Sequence, residues 1–290
     1  VRIAFFGTGA VSVAYLETLL DAGFELTAVV TKRPKRRSRN GVVEPTPVAA
    51  LGERSGLRVL TALGDLDSLD FELGIVVSYG RILPDQLVNA RPFLNVHYSL
   101  LPSFRGAAPV ERSVLAGGVA SGVTLMRLVA EMDAGPIYES VPVSIEDLDL
   151  SAAYERLTIA GCTLMRDWLV RHDDWITTAA HPQVGTPTYA PKINDADLII
   201  RSYESALQGY RRHLLGRAYF YCGSKRIRLV RAHVDETDSG FPLGSIVDGK
   251  IQTARGMLVP ELVRPEGRST MSFADFLRGA QVTTISTSPE

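Results

Sequence analysis

The sequence predicts an α/β protein: a doubly wound, mostly parallel sheet in the first half, followed by a small β-rich domain. Three observations lead there. Short, almost wholly apolar runs recur at residues 3–6, 26–30 and 73–77, and segments with helical spacing lie between them. Beyond Tyr219 the pattern turns to closely spaced β-like stretches. Strands that are apolar at every position are buried on both faces, which requires a parallel sheet covered by helices on both sides.

Taken in order, residues 3–6 read as a buried strand and Gly7-Thr8-Gly9 as the turn after it. Residues 11–22 carry Val13, Leu16, Leu19 and Leu20 at helical spacing and stop at Gly23. A strand at 26–30, a short helix at 48–55 and a strand at 73–77 follow. Residues 93–97 are short and β-like, with polar side chains toward the carboxyl end, the edge where such sheets bind ligands. Residues 123–126 read as a further strand and 154–170 as a long amphipathic helix. An extended connector at 186–193 carries Pro187 and Pro191. Strands at 218–222, 226–230, 244–247, 250–253 and 257–259, separated by glycine or charged turns, suggest a small barrel or sandwich. A boundary near Pro187 divides the chain into domains 1–186 and 187–290.

Composition narrows the class. With 46% hydrophobic and 22% charged residues the chain has the material for a real core. Its net charge of -1 gives the whole molecule no nucleic-acid signature, so any basic surface must be local. Cys162 and Cys222 stand far apart and in no metal-ligand spacing, which suits a reducing cytoplasm and predicts neither disulfide nor zinc site. The start, VRIAFFG, lacks the basic opening and cleavage site of a signal peptide. No apolar run approaches the roughly 18 residues of a membrane span. The expectation is a cytoplasmic protein with no metal, no membrane contact and no obligate protein partner.

Gly7-Thr8-Gly9 invites a dinucleotide reading. The fingerprint also needs a third glycine, where this chain has Ser12, and an acid ending the second strand, where it has Thr31-Lys32-Arg33. An arginine there suits a 2′-phosphate, so an NADP-dependent oxidoreductase stays open as a minority reading. Lys32, Arg33, Lys35, Arg36, Arg37 and Arg39 form a basic loop on the same sheet edge. Arg201, Arg211, Arg212, Arg217, Lys225, Arg226, Arg228 and Arg231 form a second concentration. Two local basic patches on a neutral protein favour a localised anionic partner, and phosphates are the usual one.

The chemistry concentrates between Asn95 and Asp133. Asn95 and His97 alternate on a strand and so share a face. An amide donor beside an imidazole can hold a developing oxyanion and manage a proton at one carbon centre. Asp133, in a Met-Asp-Ala-Gly turn, would orient the ring if folding brings it near. Leu100-Leu101-Pro102 and Arg105-Gly106-Ala107-Ala108 make a small-residue loop that lets a flat ligand approach the backbone. Singly, each of these polar residues is more often a cap, a turn residue or a satisfied core histidine.

Jointly, N-x-H-x-SLLP-x-x-RGAAP, then Ser121-Gly122-Val123-Thr124 and a D-x-G turn, resemble the folate-dependent formyltransferases. The likeness extends to Pro45-Thr46-Pro47-Val48, to Ser78-Tyr79-Gly80-Arg81-Ile82-Leu83-Pro84 and to Thr188-Tyr189-Ala190-Pro191-Lys192-Ile193. It implies a formyltransferase-type Rossmann-like domain and a small C-terminal barrel resembling an OB-fold. It implies a catalytic trio of Asn95, His97 and Asp133, and a folate pocket bordered by Tyr79, Gly80, Ile82, Leu83, Ser99, Leu100, Leu101 and Pro102. It further implies that 10-formyltetrahydrofolate gives its formyl group to the α-amine of methionyl-tRNA, with the basic loop and the barrel holding a charged initiator tRNA. Departures from the family pattern occur at Gly9-Ala10-Val11-Ser12, Ser103-Phe104, Ala134-Gly135-Pro136 and Leu214-Leu215-Gly216-Arg217-Ala218. They touch none of the trio and bear on the acceptor. A sugar-nucleotide N-formyltransferase using the same donor is therefore the alternative, and a non-catalytic RNA-binding relative a further one.

Overall fold

The apolar runs of the first half become β1 (Ile3–Gly7), β2 (Leu26–Val30), β4 (Leu73–Val77) and β5 (Phe93–His97), with a short β3 at Arg58–Leu60. All pair in parallel, and β6 (Gly122–Arg127) and β7 (Ile137–Pro142) extend the sheet antiparallel in the order β3-β2-β1-β4-β5-β6-β7. The computed structural model of the chain describes residues 1–34, 43–172 and 178–289. Lys35, Arg36, Arg37 and Arg39 of the basic loop lie outside them.

Helices α1 (Ala10–Asp21), α2 (Pro47–Arg54), α3 (Asp85–Ala90), α4 (Pro109–Leu115) and α5 (Leu150–Arg171) link or follow these strands. The start of α2 shows why the sequence folds here: the Thr46 hydroxyl accepts the Ala49 N–H at 3.1 Å, and Pro47 fills the first turn, where no N–H is needed. No helix among the described residues is long and apolar enough to cross a membrane.

The chain divides into two compact units. The first comprises Val1–Pro109, Ala120–Ser144 and Tyr154–Ala190, and the second Val110–Val119, Ile145–Ala153 and Pro191–Glu290. In the first, Phe6 packs edge-to-face on Phe93 (centroids 5.3 Å apart) and on Tyr79 (5.8 Å) beneath the carboxyl edge of the sheet. Ser12 is fully buried; its hydroxyl donates to the Val77 carbonyl at 2.7 Å and accepts the Thr8 N–H at 3.1 Å. A Cβ on Gly7 would lie 2.6 Å from that of Ser12, so this glycine serves a close approach. Thr31 is likewise buried and bonded to the Thr46 hydroxyl at 2.8 Å. The two positions that break the dinucleotide fingerprint are thus both engaged in holding the sheet together.

The second unit holds α6 (Asp195–Leu198), α7 (Ala206–Leu214), β8 (Tyr219–Cys222), β9 (Lys225–Asp235), β10 (Ile246–Val247), β11 (Lys250–Gln252), β12 (Met257–Pro265), β13 (Met271–Ser272) and α8 (Phe273–Ala280). Its antiparallel order is β10-β11-β12-β9-β8, with β13 on β12. The chain near residues 283–286 joins the two edges. Ser286 and Tyr221 of β8 exchange backbone hydrogen bonds at 2.9 and 3.0 Å, and Ile246 of β10 donates to Thr283 at 2.7 Å. That closes the sheet into a barrel rather than a sandwich. Phe220, Ile227, Leu229, Ile251, Leu258, Val263 and Phe273 belong to its core.

Candidate active site

β5 places Asn95 and His97 two residues apart on one face, with Asn95 half-buried and His97 only 6% exposed. Its neighbour β6 runs antiparallel and sets Thr124 opposite His97. The buried Thr124 hydroxyl donates to the Ser99 carbonyl at 2.6 Å and accepts the Leu101 N–H at 3.3 Å. Ser99 is itself buried and donates to the Ser103 carbonyl at 2.5 Å. The loop after β5 is therefore tied both to itself and to β6.

That loop fixes the imidazole. His97 Nε2 lies 2.9 Å from the Phe104 carbonyl oxygen. A carbonyl only accepts, so Nε2 carries the proton and the neutral ring keeps its lone pair on Nδ1. Nδ1 faces Asp133, whose Oδ2 is 3.8 Å away, too far for a direct hydrogen bond. The same oxygen accepts the Gly106 N–H at 2.8 Å. Sequence reasoning had the carboxylate orienting the ring. The folded loop divides the work: a backbone carbonyl orients the imidazole, and the carboxylate stands across from its basic nitrogen.

Strain gathers at the same place. Ser78 (φ 45°), Phe104 (φ 58°) and Asp133 (φ 50°) are non-glycine residues in the left-handed region. Such backbone persists only where surrounding bonds over-determine it, and it concentrates at functional sites. Around Phe104 those bonds are visible: its N–H donates to the Thr188 hydroxyl at 2.8 Å, and Arg105 and Thr188–Ala190 exchange backbone hydrogen bonds at 2.8 and 2.7 Å. Residues 188–190 of the predicted connector thus line the loop of the first unit.

The residues expected to border a folate fall into two groups. Tyr79 and Leu83 are buried in the apolar cluster with Phe6 and Phe93, and the Tyr79 carbonyl accepts the Thr8 hydroxyl at 2.9 Å. Burial pushes the Tyr79 hydroxyl above its ordinary pKa, with the nearby Arg81 guanidinium acting in the opposite sense. Ile82, between them in the loop, is 83% exposed, while Leu100 and Pro102 are half-buried and Leu101 is buried. An isoleucine so exposed beside a strained loop is apolar surface that a flat ligand would cover. Of the basic loop, Lys32 reaches this segment: a Cβ on Gly80 would fall on its ammonium group. Arg33 is exposed.

Two side chains escaped the sequence reading. Arg105 is 9% exposed, and its Nε and Nη2 donate to Gln183 Oε1 at 3.0 and 2.8 Å. Gln183 Nε2 in turn donates to the carbonyls of Asp133 (2.7 Å) and Gly135 (2.8 Å). Arg105 belongs to the small-residue loop and to the RGAAP signature, and neither assigns its side chain a partner. Gln183 carries no local signal, since its partners lie 48 to 78 residues away in the chain. Among the described residues no group of three or more His, Cys, Asp or Glu is placed to hold a metal ion.

A doubly wound sheet with an Asn–His–Asp site at its carboxyl edge, followed by a small antiparallel barrel, is the arrangement of a two-domain α/β enzyme. The chain belongs to the formyl transferase family: residues 1–167 match the family's profile "Formyl transferase" and residues 212–281 match "Formyl transferase, C-terminal domain". It is 33% identical to the methionyl-tRNA formyltransferase of Roseobacter denitrificans, over 97% of this chain and 96% of that protein. Among solved structures it resembles HypX from Aquifex aeolicus in complex with tetrahydrofolic acid, with TM-score 0.63 and 17% identity. That match covers 95% of this chain but only 46% of HypX, so the chain spans about half of that protein's length. An N-formyltransferase from Helicobacter canadensis, in complex with folinic acid and dTDP-3-aminofucose, matches with TM-score 0.68 at 15% identity, over 90% of this chain and 98% of that one. At such identities the two structures show a shared fold.

Proposed function

We propose that this chain transfers the formyl group of 10-formyltetrahydrofolate to the α-amine of methionyl-tRNA, with Asn95, His97 and Asp133 as the reacting site. One observation carries the reading: His97 is held with Nε2 on a backbone carbonyl, so its basic nitrogen, Nδ1, faces the Asp133 carboxylate from the carboxyl edge of the sheet. The neutral amine attacks the formyl carbon, and a C–N bond forms as the carbonyl oxygen gains charge. The Asn95 amide stabilises that oxyanion. His97 Nδ1 takes the amine proton, and Asp133 stabilises the imidazolium across the 3.8 Å gap. The imidazolium then delivers the proton to the folate nitrogen as its bond to carbon breaks. The products are formylmethionyl-tRNA and tetrahydrofolate, whose nitrogen carries the proton that the amine gave up.

The near full-length likeness to a methionyl-tRNA formyltransferase supports the acceptor, as do Lys32 beside Gly80 and the exposed Lys225, Arg228 and Arg231 of β9. Folate is supported by the exposed Ile82 and the half-buried Leu100 and Pro102 beside the trio. Such an enzyme works in the cytoplasm. The Ala134-Gly135-Pro136 turn after Asp133 favours the amino-sugar alternative. An acceptor screen with labelled 10-formyltetrahydrofolate separates the two. Label is expected on charged initiator tRNA, and transfer to nucleotide-linked amino sugars alone overturns the reading. His97→Ala and Asp133→Asn are each expected to lower kcat by about 10²–10⁴-fold. Full activity in either removes that residue from the mechanism.

A further inference from the structure

We propose that Gln183, locked by Arg105, is the positioning residue that holds Asp133 at its working place opposite His97. The inference rests on the role given to Asp133 above. Asp133 has φ 50°, and the path of its turn sets where the carboxylate stands, so contacts that hold the turn's main chain also hold the carboxylate. Gln183 spans the turn, donating one side-chain amide proton to the Asp133 carbonyl and another to that of Gly135.

The amide has no alternative orientation. Arg105 can only donate, and two of its nitrogens converge on Gln183 Oε1, so the NH₂ must face the two carbonyls. A planar fork on one oxygen is a charge-assisted, orienting arrangement. The third guanidinium nitrogen reaches the Glu131 carboxylate at 3.3 Å, on the same segment as Asp133.

Three consecutive residues therefore set both sides of the site. The Phe104 carbonyl aims His97, the Gly106 N–H holds the Asp133 carboxylate, and the Arg105 side chain holds the amide that fixes the Asp133 backbone. The Arg105 main chain is itself pinned, donating to Thr188 and accepting from Ala190. Gly106 has φ 120°, and a Cβ there would lie 2.9 Å from the Ala190 carbonyl oxygen, so the loop packs against residue 190 more closely than a side chain at 106 would allow.

Glutamate at 183 keeps size and the Arg105 contact but turns a carboxylate toward two carbonyls, and alanine removes the clamp. Gln183→Glu is expected to lower kcat for formyl transfer about 10²-fold, the effect of displacing a reacting group by about an ångström. The KM for 10-formyltetrahydrofolate should stay within roughly threefold, because uniform binding is not lost. Single-turnover rates on Gln183→Ala, Asp133→Asn and the double variant test whether the residue acts through Asp133. The Gln183→Ala loss is expected to vanish in the Asp133→Asn background. Equal losses in both backgrounds, a raised KM at wild-type kcat, or wild-type rates in both Gln183 variants would overturn the inference. Arg105→Lys, which keeps the charge and loses the fork, gives the same readout if the Gln183 variants fail to fold; an unchanged kcat there also overturns it. Asp133→Asn at full rate would instead remove the site reading itself.

Discussion

The two units of the chain use polar residues in opposite directions. In the sheet unit, Ser12, Thr31, His97, Ser99, Arg105 and Thr124 are buried, and each is joined by hydrogen bonds to main chain or to another side chain. In the barrel unit a smaller polar network buries Gln252 and Thr253, and the rest of the core is apolar. Strand β9 buries Ile227, Leu229 and Ala232 while exposing Lys225, Arg228, Arg231 and His233. Inward polar networks fix geometry and tolerate little change, whereas outward charges meet partners and can be altered singly. The difference teaches where to look for each activity: rate constants in the sheet, salt-dependent affinity in the barrel.

Glycines sharpen the contrast most. A Cβ on Gly135 would fall on the Arg127 carbonyl at the end of β6, and backbone there cannot give way cheaply. Gly135→Ala is therefore expected to destabilise the protein by about 1–3 kcal/mol through overpacking and to reduce kcat, since Gly135 also anchors Gln183. In the barrel unit, Gly249 (φ 76°) has open space around its Cβ position. Gly249→Ala meets only the backbone strain of a left-handed residue, about 1 kcal/mol, with kcat unchanged. Denaturant melts and steady-state rates on both variants check this. A larger loss at Gly249 would break the comparison.

Much of this arrangement was legible. Strands β1, β2, β4 and β5 stand within a residue of where apolar runs predicted them, because both-face burial leaves a continuous signal. Asn95 and His97 were visible as a pair because strand alternation puts residues two apart on one face. What stayed hidden depended on tertiary contact. Strand β7, interrupted by Glu139 and Ser140, carries no apolar run, so it went unread although its partner β6 was visible at 123–126. Helices α3 and α4, of six and seven residues, have too few turns to display a period. The atom that orients His97 is a main-chain carbonyl, which no side-chain pattern encodes. Gln183 acquires meaning only once Arg105 and the Asp133 turn surround it.

A polar network in the second unit gives a smaller effect with a pH signature. Arg112 grips Asp197 with two nitrogens at 2.7 and 2.9 Å, and Asp197 also accepts the Asn194 N–H at 2.9 Å in a capping box. The Arg112 hydrogen bond, followed by that backbone donor, holds the Asp197 carboxyl below its usual pKa, against the opposing effect of burial. A depressed folded pKa means stability that is present above the unfolded value near 3.9 and lost as pH falls through the folded one. Asp197→Asn is expected to cost about 1 kcal/mol at neutral pH. The gap from wild type should close as pH falls below about 4. Thermal melts across that range measure it, and a gap constant down to pH 3 would show that the charge contributes nothing.

The outward row of β9 gives the smallest effect on any single constant and the clearest separation of the two units. Arg228 stands directly opposite Arg264 on β12, a like-charged pair that a sheet accepts poorly without a counter-charge. Beside it on β8, Tyr219 carries the Arg226 guanidinium 3.6 Å over its ring. A phosphate backbone bound on this face would supply negative charge and release counterions in doing so. Arg264→Ala should raise the KM for charged tRNA by roughly threefold at moderate salt and reduce the slope of log affinity against log salt by about 1. Single-turnover kcat at saturating tRNA should stay at the wild-type value, because the trio lies in the other unit. A fall in kcat with an unchanged salt slope would mean that the barrel acts on the chemistry itself, and the division of labour between the two units would not hold.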